Sequence, residues 1–181
     1  MKRRIFYFLL LIPLGVCAKP YDHSLGLSAG NFNGLSYKRL ATEHFAIQAD
    51  MGVHLTLFDR LYGTFEINPN LMYQGTMVSS PVCDFDFFVG GGTSFGFMTT
   101  EIFSSWRYSS FGGKFGLNAI VGLEVAFNRT PLALSFDFRP GYGLFFGNEP
   151  YYSSYSNTYY SDFEVISFFD WGFALGLRFY M

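Results

Sequence analysis

One histidine and one acid hold positions from which they could act together chemically. Asp50 and His54 lie four residues apart in a segment that alternates like a β-strand, so both side chains point to the same polar face. A histidine beside a carboxylate and a neighbouring Ser or Thr hydroxyl is an arrangement that activates a nucleophile. A single histidine on a polar face is more commonly a hydrogen-bonded filler. We therefore predict no catalytic residue and no enzyme activity, and keep a lipid-modifying hydrolase as the least favoured alternative.

Nine other charged residues share the phase of that polar face. Buried charges need opposite partners, because removing an ion from water is costly. We therefore predict a paired network that plugs the interior of the fold, and we keep a narrow, gated ion or solute channel as the alternative. The predicted network consists of Lys38, Asp50, Glu66, Asp86, Lys114, Glu124, Asp137, Arg139, Asp170 and Arg178.

The remaining motifs are weak signals for a cofactor or a metal. Gly90-Gly91-Gly92 lacks the lysine and the following helix of a phosphate-binding loop. Three scattered histidines and the cysteine Cys83 do not have metal-ligand spacing. We predict no cofactor and no metal, and the sequence assigns no role to Cys83.

The elements that position these residues are strands. In residues 169–181 the odd positions are large and apolar and the even ones small or polar, which is the two-residue period of a strand. The pattern recurs upstream with no helical spacing. Pro69 should force a bulge or a local break, and Pro140 should weaken the pairing of its strand. The predicted strands are residues 24–30, 34–40, 45–57, 62–77, 85–97, 114–127, 131–142 and 169–181.

The volume of the two faces decides which of them points inward. The interior of an eight-stranded barrel is only just wide enough for side chains to fill it. Phe, Leu, Ile, Met and Val at nearly every step are too bulky for that space, whereas Gly, Ala, Ser and a few charges fit. A large apolar exterior does not suit water, and a closed barrel satisfies its backbone in lipid. We predict an all-β fold, an eight-stranded antiparallel up-and-down transmembrane β-barrel with a filled polar lumen.

The start of the chain predicts export. Lys2, Arg3 and Arg4 precede an apolar run, and small residues end at Ala18, so we predict a signal peptide over residues 1–18 and the barrel domain over 19–181. A lipoprotein signal at Cys17 is the alternative. Aromatic residues make up 22% of the chain and charged residues 14%, and the net charge is -2. This balance offers no basic stripe and argues against a nucleic-acid partner.

Two segments, GLSYKRLATEHFAIQADMG and PLALSFDFRPGYG, together with the last strand, give the chain a family likeness. It resembles the small outer-membrane β-barrels of Gram-negative bacteria, the class of the outer membrane protein A transmembrane domain and the opacity-like porin-family barrels. The resemblance implies the cell outer membrane, outer-membrane lipid and the barrel assembly machinery as partners, and both mature termini in the periplasm. The chain ends in Phe179-Tyr180-Met181, whereas this class usually ends in Phe or Trp.

The longest predicted loop, residues 147–167, is rich in tyrosine. Tyrosine offers a large amphipathic contact area at low entropic cost, so we predict an extracellular contact loop for adhesion or for an unidentified surface ligand. The alternative is that these aromatics pack on the barrel rim. The chain is therefore predicted to have a structural or surface-interaction role. The predicted contact residues are Tyr151, Tyr152, Tyr155, Tyr159 and Tyr160.

Overall fold

The chain forms one antiparallel sheet of eight strands that closes into a barrel. The computed structural model describes residues 22–56, 62–99, 111–153 and 158–181. No helix within these ranges is long and apolar enough to cross a membrane. The strands are β1 (His23–Gly30), β2 (Phe32–Leu40), β3 (Phe45–Thr56), β4 (Tyr62–Ser79), β5 (Cys83–Thr99), β6 (Phe111–Phe127), β7 (Leu132–Ser153) and β8 (Thr158–Tyr180).

Each strand pairs with its neighbours in chain order, and the last strand returns to the first. β1 and β8 are antiparallel from Ser24 opposite Tyr180 to Gly30 opposite Ala174. Closure removes the free sheet edges, so each strand pairs with a neighbour on both sides. The predicted antiparallel up-and-down fold of eight strands is confirmed. The predicted signal peptide, residues 1–18, lies outside the described residues.

The two-residue period places bulky apolar side chains outside and polar ones inside. Leu123 and Leu175 on the outer face are 51% and 64% exposed, whereas the inward Glu124 is fully buried. Similar large apolar side chains are exposed on all eight strands. The barrel therefore carries its hydrocarbon surface on the outside, the reverse of a soluble globule.

The interior also holds large apolar side chains, contrary to the expectation that Gly, Ala, Ser and charges alone would fill it. Met72, Phe88 and Ile120 are buried in a cluster with Ala46. Glycines provide the room: a Cβ on Gly122 would overlap the ring of Phe88. A large inward side chain is therefore accommodated where the neighbouring strand has a glycine, which has no side chain to occupy the space.

Pro69 and Pro140 each interrupt the ladder on one side of their strand, because proline lacks an N–H donor. The β4–β5 pairing is absent between Ile67 and Asn70 and resumes in the same register, so Pro69 causes a local break without a bulge. The β6–β7 pairing is likewise absent beside Pro140. The one register shift between described strand pairs lies at Thr76 and Val78.

The predicted loop over residues 147–167 is wrong, because β7 and β8 continue as a paired hairpin to Ser153 opposite Thr158. Tyrosine favours strands, so the residues that suggested a contact loop extend the ladder instead. β7 and β8 have 22 and 23 residues, against 8 and 9 for β1 and β2. We call the barrel end with the links 41–44, 80–82 and 128–131 the turn end, and the opposite end, which holds Asn31 and this hairpin, the far end.

Candidate functional site: two charge clusters inside the barrel

A buried carboxylate organises the charges near the turn end. The Nζ of Lys38 on β2 lies 3.2 Å from both carboxylate oxygens of Glu124 on β6. The Tyr180 hydroxyl donates to Glu124 Oε1 at 2.5 Å, and the Nε of Arg178 lies 3.3 Å from Oε2. Two strands, β2 and β8, thus direct one donor and two cations at one carboxylate, and Glu124 is fully buried.

A second buried acid, Asp86, completes this turn-end cluster, which we define as Lys38, Asp86, Glu124 and Arg178. Thr76 Oγ1 donates to Asp86 at 2.7 Å. The Lys38 ammonium also lies 5.2 Å from the centre of the Phe88 ring. The cluster balances two carboxylates with two cations, an arrangement that suits a low-dielectric interior.

The middle of the barrel carries one cation between two acids. Arg139 on β7 contacts Asp50 on β3 at 2.7 Å through Nη1 and Asp137 at 2.5 Å through Nε. Gln48 Nε2 donates to both oxygens of Asp50 at 3.0 and 2.8 Å. Gln48 also accepts from Arg178 Nη2 at 2.8 Å, so it connects the middle layer to the turn-end cluster.

The charges toward the far end form a third group, the far-end cluster of His54, Glu66, Lys114 and Asp170. Lys114 Nζ donates to Glu66 Oε1 and, at 3.1 Å, to Asp170 Oδ2. The Nδ1 of His54 lies 3.1 Å from Asp170 Oδ2 and 3.6 Å from Glu66 Oε1. Four strands, β3, β4, β6 and β8, meet at this point in the lumen.

A cavity of about 40 Å³ adjoins the far-end cluster, room for about two or three water molecules. Its wall includes outward residues such as Leu117 and Tyr142 as well as lumen residues, so it reaches the gap in the β6–β7 ladder next to Pro140. The polar lumen residues that line it are His54, Glu66, Asn68, Ser94, Lys114, Asn118, Arg139 and Asp170.

The far half of the lumen is acid-rich among the described residues. The middle layer and the far-end cluster together hold four carboxylates, on Asp50, Glu66, Asp137 and Asp170, against the two cations Lys114 and Arg139. Protonation of His54 would supply one further positive charge. The turn-end cluster, by contrast, is balanced.

All ten residues of the predicted charge network lie on the inward face, and nine of them are buried, with Arg139 slightly more exposed. The structure does not join Asp50 to His54, the pair that suggested a hydrolase: Asp50 contacts Gln48 and Arg139, and His54 contacts Asp170 and Glu66.

The tyrosine-rich segment has a different backbone from the predicted one. Tyr151 pairs with Tyr160 and Tyr152 with Tyr159 in the β7–β8 ladder. Tyr155 lies outside the described residues. Cys83 starts β5 as a free thiol, 3.7 Å from the hydroxyl of Ser80.

Sequence reasoning missed the uncharged partners of the network. Gln48, Gln74 and Asn68 all have the inward phase, and that phase was a signal available from the alternation alone. The pattern could not say which charged residue each amide would contact. Comparison of the chain with protein-family models, curated proteins and solved structures gave no match.

Proposed function

We propose that this protein is an exported barrel of the bacterial outer membrane, surrounded by lipid and with a lumen closed by its charge network. The observation that carries the proposal is the belt of exposed large apolar side chains around all eight strands. Monomeric soluble proteins rarely expose more than a few hundred Å² of contiguous apolar surface. A bilayer supplies the hydrocarbon environment that this belt requires.

The proposed role of the lumen is structural, and the turn-end cluster is its main support. Glu124 and Asp86 are fully buried, and each has a hydrogen-bond partner on another strand. Side chains that cross the lumen in this way leave little space for an ion path at the turn end. A plug of paired charges fits these contacts better than a channel does.

Membrane fractionation followed by conductance recording tests this proposal. We expect the full chain, expressed in a Gram-negative host, to sediment with the outer membrane and to resist extraction by sodium carbonate. Refolded protein added to planar lipid bilayers should give no steady conductance. Recovery in the soluble fraction would contradict the membrane location, and steady single-channel currents would favour the channel alternative.

The second part of the proposal is a contact role for the β7–β8 hairpin. Among the described residues, β6 pairs with β7 as far as Asn148 and β7 continues to Ser153, so the hairpin extends about 17 Å beyond the described part of that ladder. A two-stranded projection with paired tyrosine positions would present these residues away from the membrane. We propose adhesion or ligand contact there.

A matched pair of variants tests the contact role. Deletion of residues 150–162 should leave the barrel folded and remove binding of whole cells to the surface or host cells that wild-type cells bind. Replacement of Tyr151, Tyr152, Tyr159 and Tyr160 by Thr, which keeps strand propensity, should have the same effect. Unchanged binding in both variants would contradict a contact role.

A further inference from the structure

Four buried polar atoms around the far-end cavity have no hydrogen-bond partner among the described residues. They are His54 Nε2, Asn68 Oδ1, Asn118 Oδ1 and Asp170 Oδ1, and all four side chains line the same cavity. Asn68 and Asp170 are only 5% and 8% exposed. Buried polar atoms are rarely left without partners, because each such atom loses its bond to water.

The chemistry of these atoms specifies what would satisfy them. The Nδ1 of His54 lies 3.1 Å from Asp170 Oδ2 and 3.6 Å from Glu66 Oε1, so an ion shared with these carboxylates would take the Nδ1 lone pair and leave the imidazole hydrogen on Nε2. The other three atoms are amide or carboxylate oxygens, which accept only. Water or a cation can satisfy such oxygens, whereas an anion would add to the negative charge already present.

Charge and size agree with a small cation. The far half of the lumen has two more carboxylates than cations among the described residues. The cavity holds only a few waters, which excludes a large organic headgroup.

We propose that the far-end cavity binds a divalent transition-metal ion through His54, Glu66 and Asp170. One donor atom from each of these residues lies within 4.8 Å of the others. Donor atoms on a tetrahedral zinc ion lie about 3.4 Å apart, so shifts of up to about 1.5 Å would bring the three donors onto a common ion. An imidazole with carboxylates favours zinc or manganese over calcium or magnesium, which prefer oxygen alone.

The ammonium of Lys114 would compete with that ion for the carboxylate oxygens of Glu66 and Asp170. This ammonium donates to Glu66 Oε1 and Asp170 Oδ2, and an ion bound to the same carboxylates would share those oxygens and be repelled by its charge. This position makes a distinctive prediction: removal of the ammonium should strengthen metal binding, although it removes an ion pair.

The test is zinc titration of the refolded full chain without a polyhistidine tag, in competition with a chromogenic chelator. We expect one zinc ion per chain. His54→Asn and Asp170→Asn should each weaken binding at least tenfold, and Lys114→Met should strengthen it at least tenfold. Lys38→Met, the same change in the balanced turn-end cluster, and His44→Asn, outside the barrel interior, should leave the affinity unchanged.

Far-UV circular dichroism shows which variants are folded, and the comparison of wild type with His54→Asn decides the matter even if Lys114→Met does not fold. Zinc binding that is equal in wild type and His54→Asn would overturn the site. Binding of calcium in preference to zinc would overturn the assignment of a transition metal. The titration is done in detergent, so its outcome is independent of the proposed membrane location.

Discussion

The two ends of the lumen are built from the same residue types and differ in charge balance and in packing. At the turn end, Glu124 receives Lys38, Arg178 and the Tyr180 hydroxyl, and large side chains such as Phe88 pack beside them. At the far end, one ammonium serves two carboxylates and a cavity of about 40 Å³ adjoins them. The turn end is thus the part of the lumen that holds strands together, and the far end is the part with room for water or an ion.

Physical reasons for that division lie in charge balance and in packing. A buried ion pair is tolerated when each charge meets its opposite, whereas an excess of one sign in a dry interior favours a counter-ion. Tight packing likewise fixes one arrangement, whereas a polar cavity leaves room for water or an ion.

The largest expected effect comes from removal of the central turn-end carboxylate. Glu124→Ala leaves Lys38 and Arg178 without the carboxylate that they share, so we expect a loss of about 3–5 kcal/mol in the free energy of unfolding. Denaturant unfolding in lipid vesicles measures it. Glu124→Gln is the matched control: it preserves shape, and it should lose most of the same stability because the charge is what matters. A loss below that of an ordinary surface substitution would remove the distinction between the two ends.

A matched pair of glycines tests the packing half of the comparison. A Cβ at Gly122 would overlap the Phe88 ring, so Gly122→Ala should cost about 1–3 kcal/mol of unfolding free energy. At Gly141, next to the far-end cavity, the nearest atom to a Cβ would be the Leu117 carbonyl oxygen at 3.3 Å. Gly141→Ala should therefore change stability by less than about 0.5 kcal/mol, because the lost backbone entropy of the unfolded chain offsets the contact. Equal costs at both positions would contradict the difference in packing.

The smallest expected effect is at the far end. Asp170→Asn removes one charge from the acid-rich half while Glu66 continues to pair with Lys114. We expect a change within about 1 kcal/mol of wild type in the same unfolding experiment, since relief of repulsion offsets the lost ion pair. A loss as large as that of Glu124→Ala would mean that both clusters are equally structural.

The alternation of the sequence was sufficient to predict the number, direction and faces of the strands. Leu123, Glu124 and Val125 follow one another in a pattern that only a two-faced strand explains, and the structure gives them those faces. The extent of β7 and β8 was missed, because the tyrosine-rich residues 147–167 were assigned to a loop, whereas pairing between the two strands extends the ladder. The residue types along one segment do not show that it will be stabilised by pairing with another strand.

The partners inside the lumen could not be predicted from one sequence. Lys38 meets Glu124 across 86 residues and Arg139 meets Asp50 across 89, so these contacts depend on how the sheet closes and on the stagger of every strand pair. Phe88 inside the barrel depends in turn on a glycine of the next strand, Gly122. The position of a residue in the alternation predicts the face on which it lies. Its contacts inside the lumen depend on how the whole barrel closes.

The most direct test of the outward apolar belt is a nitroxide scan along β6 in lipid vesicles, in a Cys83→Ser background. Labels at Leu117, Val121 and Leu123, the outward positions, should collide more often with oxygen, which concentrates in hydrocarbon, than with a water-soluble nickel complex. The result that contradicts the account is the reverse, with the nickel complex reaching all three positions more readily than oxygen does.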